Sequence, residues 1–336
     1  MFIRKRKRAD KIVLNDNSKI LFIRLNRIGD ALVSTSLLYN IKSKTNYKIF
    51  VVASKYNHFI FNSEELCDEV IVYDKNEINF LKLIKIINSI KPDAIIDLHN
   101  DVSTTGSFIL AFSKAKFKIG FNKWNNKLYD YVIEQQSKTH IVDRLMSFSQ
   151  ILNVPYNKDE INIHYKVSEN ALSNICNYIN NNKLNNVFKI GINISAGNDS
   201  RFWSIENYKR LLKDLSIYKN AGLIVLCSPN DVTKAKEIAD DKYPIFYNNS
   251  FEIFTALISK LNLLITPDTS VVHVASAYKV PVFGLYVKYK TSEMIWYPYK
   301  SKFECVITEE PTLHNIKYES VINKLKPFIE ELLWKN

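Results

Sequence analysis

Lys19–Leu38, KILFIRLNRIGDALVSTSLL, changes its hydrophobic period partway along and carries a carboxylate at the change. Ile20, Leu21, Phe22, Ile23 and Leu25 form a short apolar run of strand formers, interrupted only by Arg24, the pattern of a buried strand in a parallel sheet. From Asp30 onward Ala31, Leu32, Leu37, Leu38 and Ile41 fall near helical spacing, so the strand passes to a helix through Asn26-Arg27-Ile28-Gly29-Asp30. Gly29 is expected to let the backbone turn sharply there. Open α/β sheets bind ligands beyond the carboxyl ends of their strands, which puts Asp30 at that rim, at or near a helix N-terminus. Spacing alone leaves it two roles, a carboxylate that caps the helix and one that acts on a ligand.

Outward from this stretch the alternation continues. Tyr47–Ser54, Asp68–Asp74, Ala94–Asn100 and Lys116–Phe121 read as strands, and a helix-like segment is expected around Phe59–Leu66. Ile78–Ile90, Val102–Phe112 and His140–Leu152 read as helices, the first ended by Lys91-Pro92. Composition shifts at Val154-Pro155, and the second half then restarts the pattern. Val187–Ser195, Ala221–Pro229 and Asn262–Asp268 read as strands, with helices at Ile205–Leu215 and Asp231–Asp241; Pro281–Tyr286 adds a late strand. Strands alternating with helices predict an α/β fold of two Rossmann-like, doubly wound parallel-sheet domains. The expected boundaries are 1–155, opened by a basic arm at 1–18; a connection at 156–185; a second domain at 186–317; and a terminal segment, 318–336, whose helix packs back on the first domain.

The bulk numbers agree with two cores: 336 residues, 46% of them hydrophobic. No apolar run reaches the roughly 18 residues of a membrane span, and the basic start lacks an apolar segment long enough for a secretory signal. Four cysteines, Cys67, Cys176, Cys227 and Cys305, are scattered without a CxxC pair, as expected of reduced thiols in a cytosol. Charge is uneven: residues 1–150 carry 24 Lys and Arg against 15 Asp and Glu, the remaining 186 carry 22 against 19. The first half is therefore expected to meet something acidic, and nucleic acid, anionic lipid and phosphorylated saccharide all fit on charge alone. The cluster Arg4–Arg8 reads either as an arm for a membrane leaflet or as a solvated terminus.

Two loops of the second half follow strands. Ile194–Trp203, ISAGNDSRFW, is small at Ser195-Ala196-Gly197, where backbone amides can approach a phosphate, and then presents the Arg201 guanidinium and the Trp203 indole. In Thr266–Ser276, Asp268-Thr269-Ser270 is expected to cap a helix whose free amides suit a diphosphate, with His273 in its first turns. No GxGxxG, GxxxxGK[ST], GxSxG or HExxH occurs, which disfavours dinucleotide dehydrogenases, P-loop enzymes, serine hydrolases and zinc proteases. No two acidic residues stand at i and i+2, so the Asp-x-Asp metal pattern of many sugar-nucleotide enzymes is missing and no metal is expected.

Together these segments resemble glycosyltransferase family 9, the bacterial ADP-heptose:lipopolysaccharide heptosyltransferases, inverting enzymes of GT-B architecture. ILFIRLNRIGDALVSTSLLYNIK resembles the family's first strand, Gly-Asp loop and first helix; PDAIIDLHN, KFKIGF and THIVDRLMSFSQILNVP follow in the family's order. GINISAGNDSRFWSIENYKRLLKDL resembles its donor-phosphate loop and LLITPDTSVVHVASAYKVPVFGLY its Asp-Thr-Gly-x-x-His loop, so most of 19–290 is covered. The resemblance implies Asp30 as catalytic base and Arg201 beside the donor phosphates. It further implies Ser195, Ala196 and Gly197 as amide donors to the diphosphate, Asp268, Thr269, Ser270 and His273 as the donor loop, Asp231 near the ribose, and Arg27 and Arg144 on the acceptor side. Ser270 stands where the family has Gly, and Asn26-Arg27 where small residues are common.

The expected protein is thus a cytoplasmic transferase, peripheral at the inner face of the cytoplasmic membrane. It moves heptose from ADP-heptose to an anionic lipopolysaccharide or lipooligosaccharide core, with no cofactor beyond the donor and no nucleic acid partner. The rivals are transfer of another sugar to another surface glycan, a sugar-nucleotide epimerase on the same scaffold, and a nucleic-acid binder; the last leaves Asp30 and Asp268 without a role.

Overall fold

The strand-to-helix switch at Lys19–Leu38 is the first βα unit of a six-stranded parallel sheet. A computed structural model describes residues 12–334, so the basic cluster Arg4–Arg8 lies outside the described residues. The chain separates into two compact units, 1–165 and 166–336.

The first unit runs β1 (Lys19–Arg24), α1 (Ile28–Lys44), β2 (Lys48–Ser54), β3 (Glu69–Tyr73), α2 (Glu77–Ile90), β4 (Ala94–Asp97), α3 (Thr104–Phe112), β5 (Phe117–Phe121), β6 (Tyr131–Ile133) and α4 (Ile141–Ile151). Strand order is β3-β2-β1-β4-β5-β6, all pairs parallel. Leu21, Ile23, Val52 and Ile95 pack with Leu83 and Ile87 of α2 and Ile109 and Leu110 of α3 in one core. Ile20 and Phe22 alternate to the other face and are equally buried; both faces of the sheet are covered, which is why β1 reads as a continuous apolar run.

The second unit runs α5 (Glu169–Asn181), β7 (Phe188–Asn193), α6 (Ile205–Leu215), β8 (Ala221–Leu226), α7 (Val232–Ala239), β9 (Ile245–Phe246), α8 (Phe251–Ile258), β10 (Leu263–Pro267), α9 (Val271–Ala277), β11 (Val282–Val287), β12 (Phe303–Thr308) and α10 (Tyr318–Trp334). Its order, β12-β11-β10-β7-β8-β9, is the same doubly wound plan, again parallel throughout.

Several details differ from the sequence expectation. The segment around Phe59–Leu66 holds only a 3₁₀ turn, His58–Phe61. The stretch read as a connection, 156–185, contains the 13-residue helix α5, which buries Ala171, Ile175 and Ile179. The terminal helix puts Val321, Leu325, Phe328 and Ile329 into the core of its own unit. Gly29 makes no sharp turn, because it lies inside α1 and no glycine has a positive φ among the described residues.

Candidate active site

In the first sheet the strand order reverses between β1 and β4, so the loops leaving these strands diverge and open a crevice at the switch point. Asp30 stands beside that opening. It is not the N-cap of α1: Arg27 occupies that position without a side-chain cap bond, and Asp30 falls in the first helical turn. With capping removed, its carboxylate faces the fully buried Arg24, Nη2 to Oδ1 at 3.6 Å. Arg24 also donates from Nε to the Asp30 carbonyl at 2.9 Å and from Nη1 to the Leu98 carbonyl at 2.5 Å, tying the loops after β1 and β4 together. Burial pulls the guanidinium below its ordinary value, while Asp30 and Asp97 act against that pull.

Behind this pair lies a buried polar cluster at the end of β4. Asp97 Oδ1 meets His99 Nδ1 at 2.5 Å, and Asp97 Oδ2 accepts from the Lys123 ammonium at 2.9 Å and the Tyr129 hydroxyl at 2.7 Å. The Leu25 amide donates to His99 Nε2 at 3.2 Å, so the ring carries its proton on Nδ1, toward Asp97. Burial pushes the Asp97 carboxyl up, but His99, Lys123 and Tyr129 outweigh burial and hold it well below the usual carboxylate range. Asn57, also buried, donates to the carbonyls of Arg24 (3.1 Å) and Asn26 (2.8 Å) and so fixes the loop that leads to Asp30.

The second sheet reverses between β7 and β10, and both predicted donor loops leave these two strands. Asn193 Nδ2 bridges them, donating to Thr266 Oγ1 at 2.9 Å and to the Ser195 carbonyl at 3.1 Å. Ser195 Oγ donates to Asp231 Oδ2 at 2.6 Å and accepts from the Ser228 amide at 2.7 Å, which draws the end of β8 into the same place. A Cβ on Gly197 would meet nothing within 4 Å, so the backbone there is open to a ligand, whereas the Ser195 amide donates to Asn193 Oδ1 at 3.2 Å. Arg201 Nη1 donates to the Asp268 carbonyl at 2.9 Å and lies 3.3 Å from Asp268 Oδ2. The two loops are thereby joined by a partly exposed cation.

This chain matches the model of glycosyltransferase family 9 (heptosyltransferase) over residues 80–326. The chain belongs to glycosyltransferase family 9. It is 22% identical over 325 residues, 94% of this chain and 86% of the relative, to an Escherichia coli K12 protein named "Putative lipopolysaccharide heptosyltransferase 4". It is 25% identical over 232 residues, 65% of this chain and 64% of the relative, to the lipopolysaccharide core heptosyltransferase OpsX of Haemophilus influenzae. Among solved structures, a glycosyl transferase family 9 protein from Veillonella parvula superposes with a TM-score of 0.80 at 19% identity, covering 94% of this chain and 98% of that one. E. coli heptosyltransferase WaaC with ADP gives 0.73 at 14% identity, with 94% and 99% covered. The fold of this family 9 glycosyltransferase is accordingly GT-B.

Of the residues picked out by sequence, the second unit brings Ser195 to Asp231 and Arg201 to Asp268. Two expectations for its loops fail. The Trp203 indole is not presented to a ligand: it is fully buried, donates to the Ile316 carbonyl at 3.0 Å and stacks on Tyr318. Asp268-Thr269-Ser270 does not cap α9, since Ser270 has helical dihedrals and no cap bond, and Asp268 is engaged with Arg201 instead. His273 is buried on that short helix, its ring 6.0 Å from Trp296. In the first unit Arg27 is exposed and Arg144 buried, on α4, which packs beside α1 through Asn40 Nδ2 to Ser149 Oγ at 2.9 Å. Arg24, Asn57, Asp97, His99, Lys123 and Tyr129 were not singled out as site residues. A charge inside an apolar strand and a strand ending Asp-Leu-His were the signals.

Proposed function

We propose that this family 9 glycosyltransferase transfers heptose from ADP-heptose to the anionic inner core of lipopolysaccharide or lipooligosaccharide, inverting the anomeric centre, as a peripheral protein of the cytoplasmic leaflet. The observation that carries the reading is Asp30, a carboxylate at the carboxyl end of the first sheet, oriented by a buried arginine. A sugar hydroxyl is a weak nucleophile, and Asp30 would accept its proton as it attacks the anomeric carbon. Charge then builds on the departing nucleoside diphosphate. Arg201 and the backbone at Ala196-Gly197 would receive that charge, with the Ser195 amide released from Asn193 to join them, and Asp231, already accepting from Ser195 and Ser228 hydroxyls, would meet ribose hydroxyls. The donor is consumed as substrate, and neither a separate cofactor nor a metal enters this scheme.

Names of relatives support the donor and acceptor: two are lipopolysaccharide heptosyltransferases and one solved neighbour holds ADP. The reading is tested by incubating purified protein with ADP-heptose and a core acceptor and following ADP release. Turnover with ADP-heptose, outcompeting other sugar nucleotides, is expected. Release that requires no acceptor, or a strong preference for another nucleotide sugar, would overturn it.

A further inference from the structure

The outer surface of α2 and α3 exposes large apolar side chains among lysines. On α2, Ile78, Leu81, Lys82 and Lys85 recur at helical spacing along an exposed stripe, with Ile78 69% and Leu81 72% exposed. On α3, Phe108 and Phe112 are about half exposed and stack on one another. The helices lie side by side: the Phe80 ring contacts both phenylalanines edge-on, and the Lys114 amide donates to Asn88 Oδ1 at 2.7 Å. A third piece joins at one end, where Asn125 Nδ2 donates to Ser107 Oγ at 2.7 Å and the adjoining Trp124 is 90% exposed.

Charge along this surface is mainly positive, with Glu77 at the first residue of α2 and Asp101 in the loop that leads to α3. Residues 78–92 and 102–118 contain no Asp or Glu. They do contain Lys82, Lys85, Lys114 and Lys116, all exposed. Apolar and aromatic side chains interspersed with lysines along both helices, with carboxylates only where the helices begin, suit an anionic bilayer: ammonium groups meet lipid phosphates while Ile, Leu, Phe and Trp enter the headgroup boundary. The position fits as well. In a parallel sheet the loops after β3, β4 and β5 leave from the same end as the loop after β1, so the start of α2, the start of α3 and Trp124 share the rim on which Asp30 stands.

We propose that the α2–α3 face, with Trp124 at its edge, is the surface by which this protein docks on anionic lipid, presenting the Asp30 rim to a membrane-held acceptor. The last clause rests on the transferase reading; the docking itself does not. The test uses the full chain with vesicles of phosphatidylcholine, with and without phosphatidylglycerol. Sedimentation with the anionic vesicles only, weakened by salt, is expected. Leu81→Glu with Phe108→Glu, and separately Lys82→Glu with Lys85→Glu, should each weaken binding at least ~10-fold with unchanged thermal unfolding. A blue shift of tryptophan emission on binding should vanish in Trp124→Phe. Equal binding to neutral vesicles, or both double variants sedimenting like the parent, would overturn the proposal. So would a loss confined to variants of Arg4–Arg8, or capture by an acidic protein without vesicle binding. Vesicle binding that stands while ADP-heptose and acceptor give no ADP would sink the transfer reading alone.

Discussion

The Arg24 guanidinium holds Asp30 twice, by its backbone carbonyl through Nε at 2.9 Å and by its carboxylate through Nη2 at 3.6 Å. One buried side chain thus sets both where the helix begins and where its carboxylate points. A general base depends on such orientation as well as on basicity.

Asp30→Asn should therefore lower kcat by ~10²–10⁴ with little change in donor KM. Arg24→Met keeps much of the buried volume but frees the carboxylate and takes the donor from the Leu98 carbonyl, while the Asp30 carbonyl keeps Ser34 Oγ at 2.8 Å. It should lower kcat by ~10-fold or more, destabilise the fold by about 1–3 kcal/mol, and be partly rescued by Arg24→Lys. Steady-state ADP release and urea unfolding check both. An Arg24→Met variant with parental kcat would show that Arg24 is structural only.

Asp97 makes stability depend on pH. Its folded-state carboxyl is held below the usual range, so its stabilisation is fully present above the unfolded carboxylate pKa near ~4 and is lost as pH falls toward the folded value. Asp97→Asn should cost about 3 kcal/mol near neutrality, because His99 and Lys123 lose their buried partner. The gap between parent and variant should narrow below about pH 4, as the unfolded parent takes up a proton its folded form does not. Urea titrations at pH 7 and pH 3 measure this; a gap that widens with acid would contradict it.

What could be read from the chain in advance, and what could not, follows from the range of each interaction. The βα units with strong periodicity, such as Ile205–Leu215, have the bounds expected of them. Asp30 was visible because a period change marks its loop. The Asp97–His99–Lys123–Tyr129 cluster was not, because its members come from β4, the loop after it, and the β5–β6 connection, and only the pairing of those strands unites them. Trp203 misled for the same reason: an indole beside a phosphate-type loop looks like a ligand platform until α10 and the Ile316 carbonyl are in place. Short strands such as β9 have too few residues for any period to show.

Thiol reactivity should divide by burial. Cys67 and Cys227 are buried, and burial pushes both thiols up to about 12, with Asp68 and Asp231 adding to the effect. Cys176 is exposed on α5. A maleimide at pH 7 should label Cys176 quickly in the native protein, and Cys67 and Cys227 only on unfolding. Peptide mapping of the label checks this, and fast labelling of Cys227 would mean that the β8 end opens readily in solution.

On the donor side, Arg201 and Asp231 should separate in kinetics. In the proposed transfer Arg201 would face the developing leaving-group charge, and a cation there matters more in the transition state than in the ground state. Arg201→Ala should thus lower kcat by ~10²–10³, with a smaller effect on ADP affinity. Asp231 accepts from Ser195 and Ser228 hydroxyls and would bind an uncharged part of the donor, contributing equally before and during the reaction. Asp231→Asn should therefore weaken ADP binding ~10-fold while leaving kcat near the parent value. Calorimetry with ADP and turnover at saturating donor distinguish the two. If Asp231→Asn instead loses kcat at full donor saturation, its carboxylate acts by holding Ser195 against the phosphate loop, and rescue should then be absent at any donor concentration.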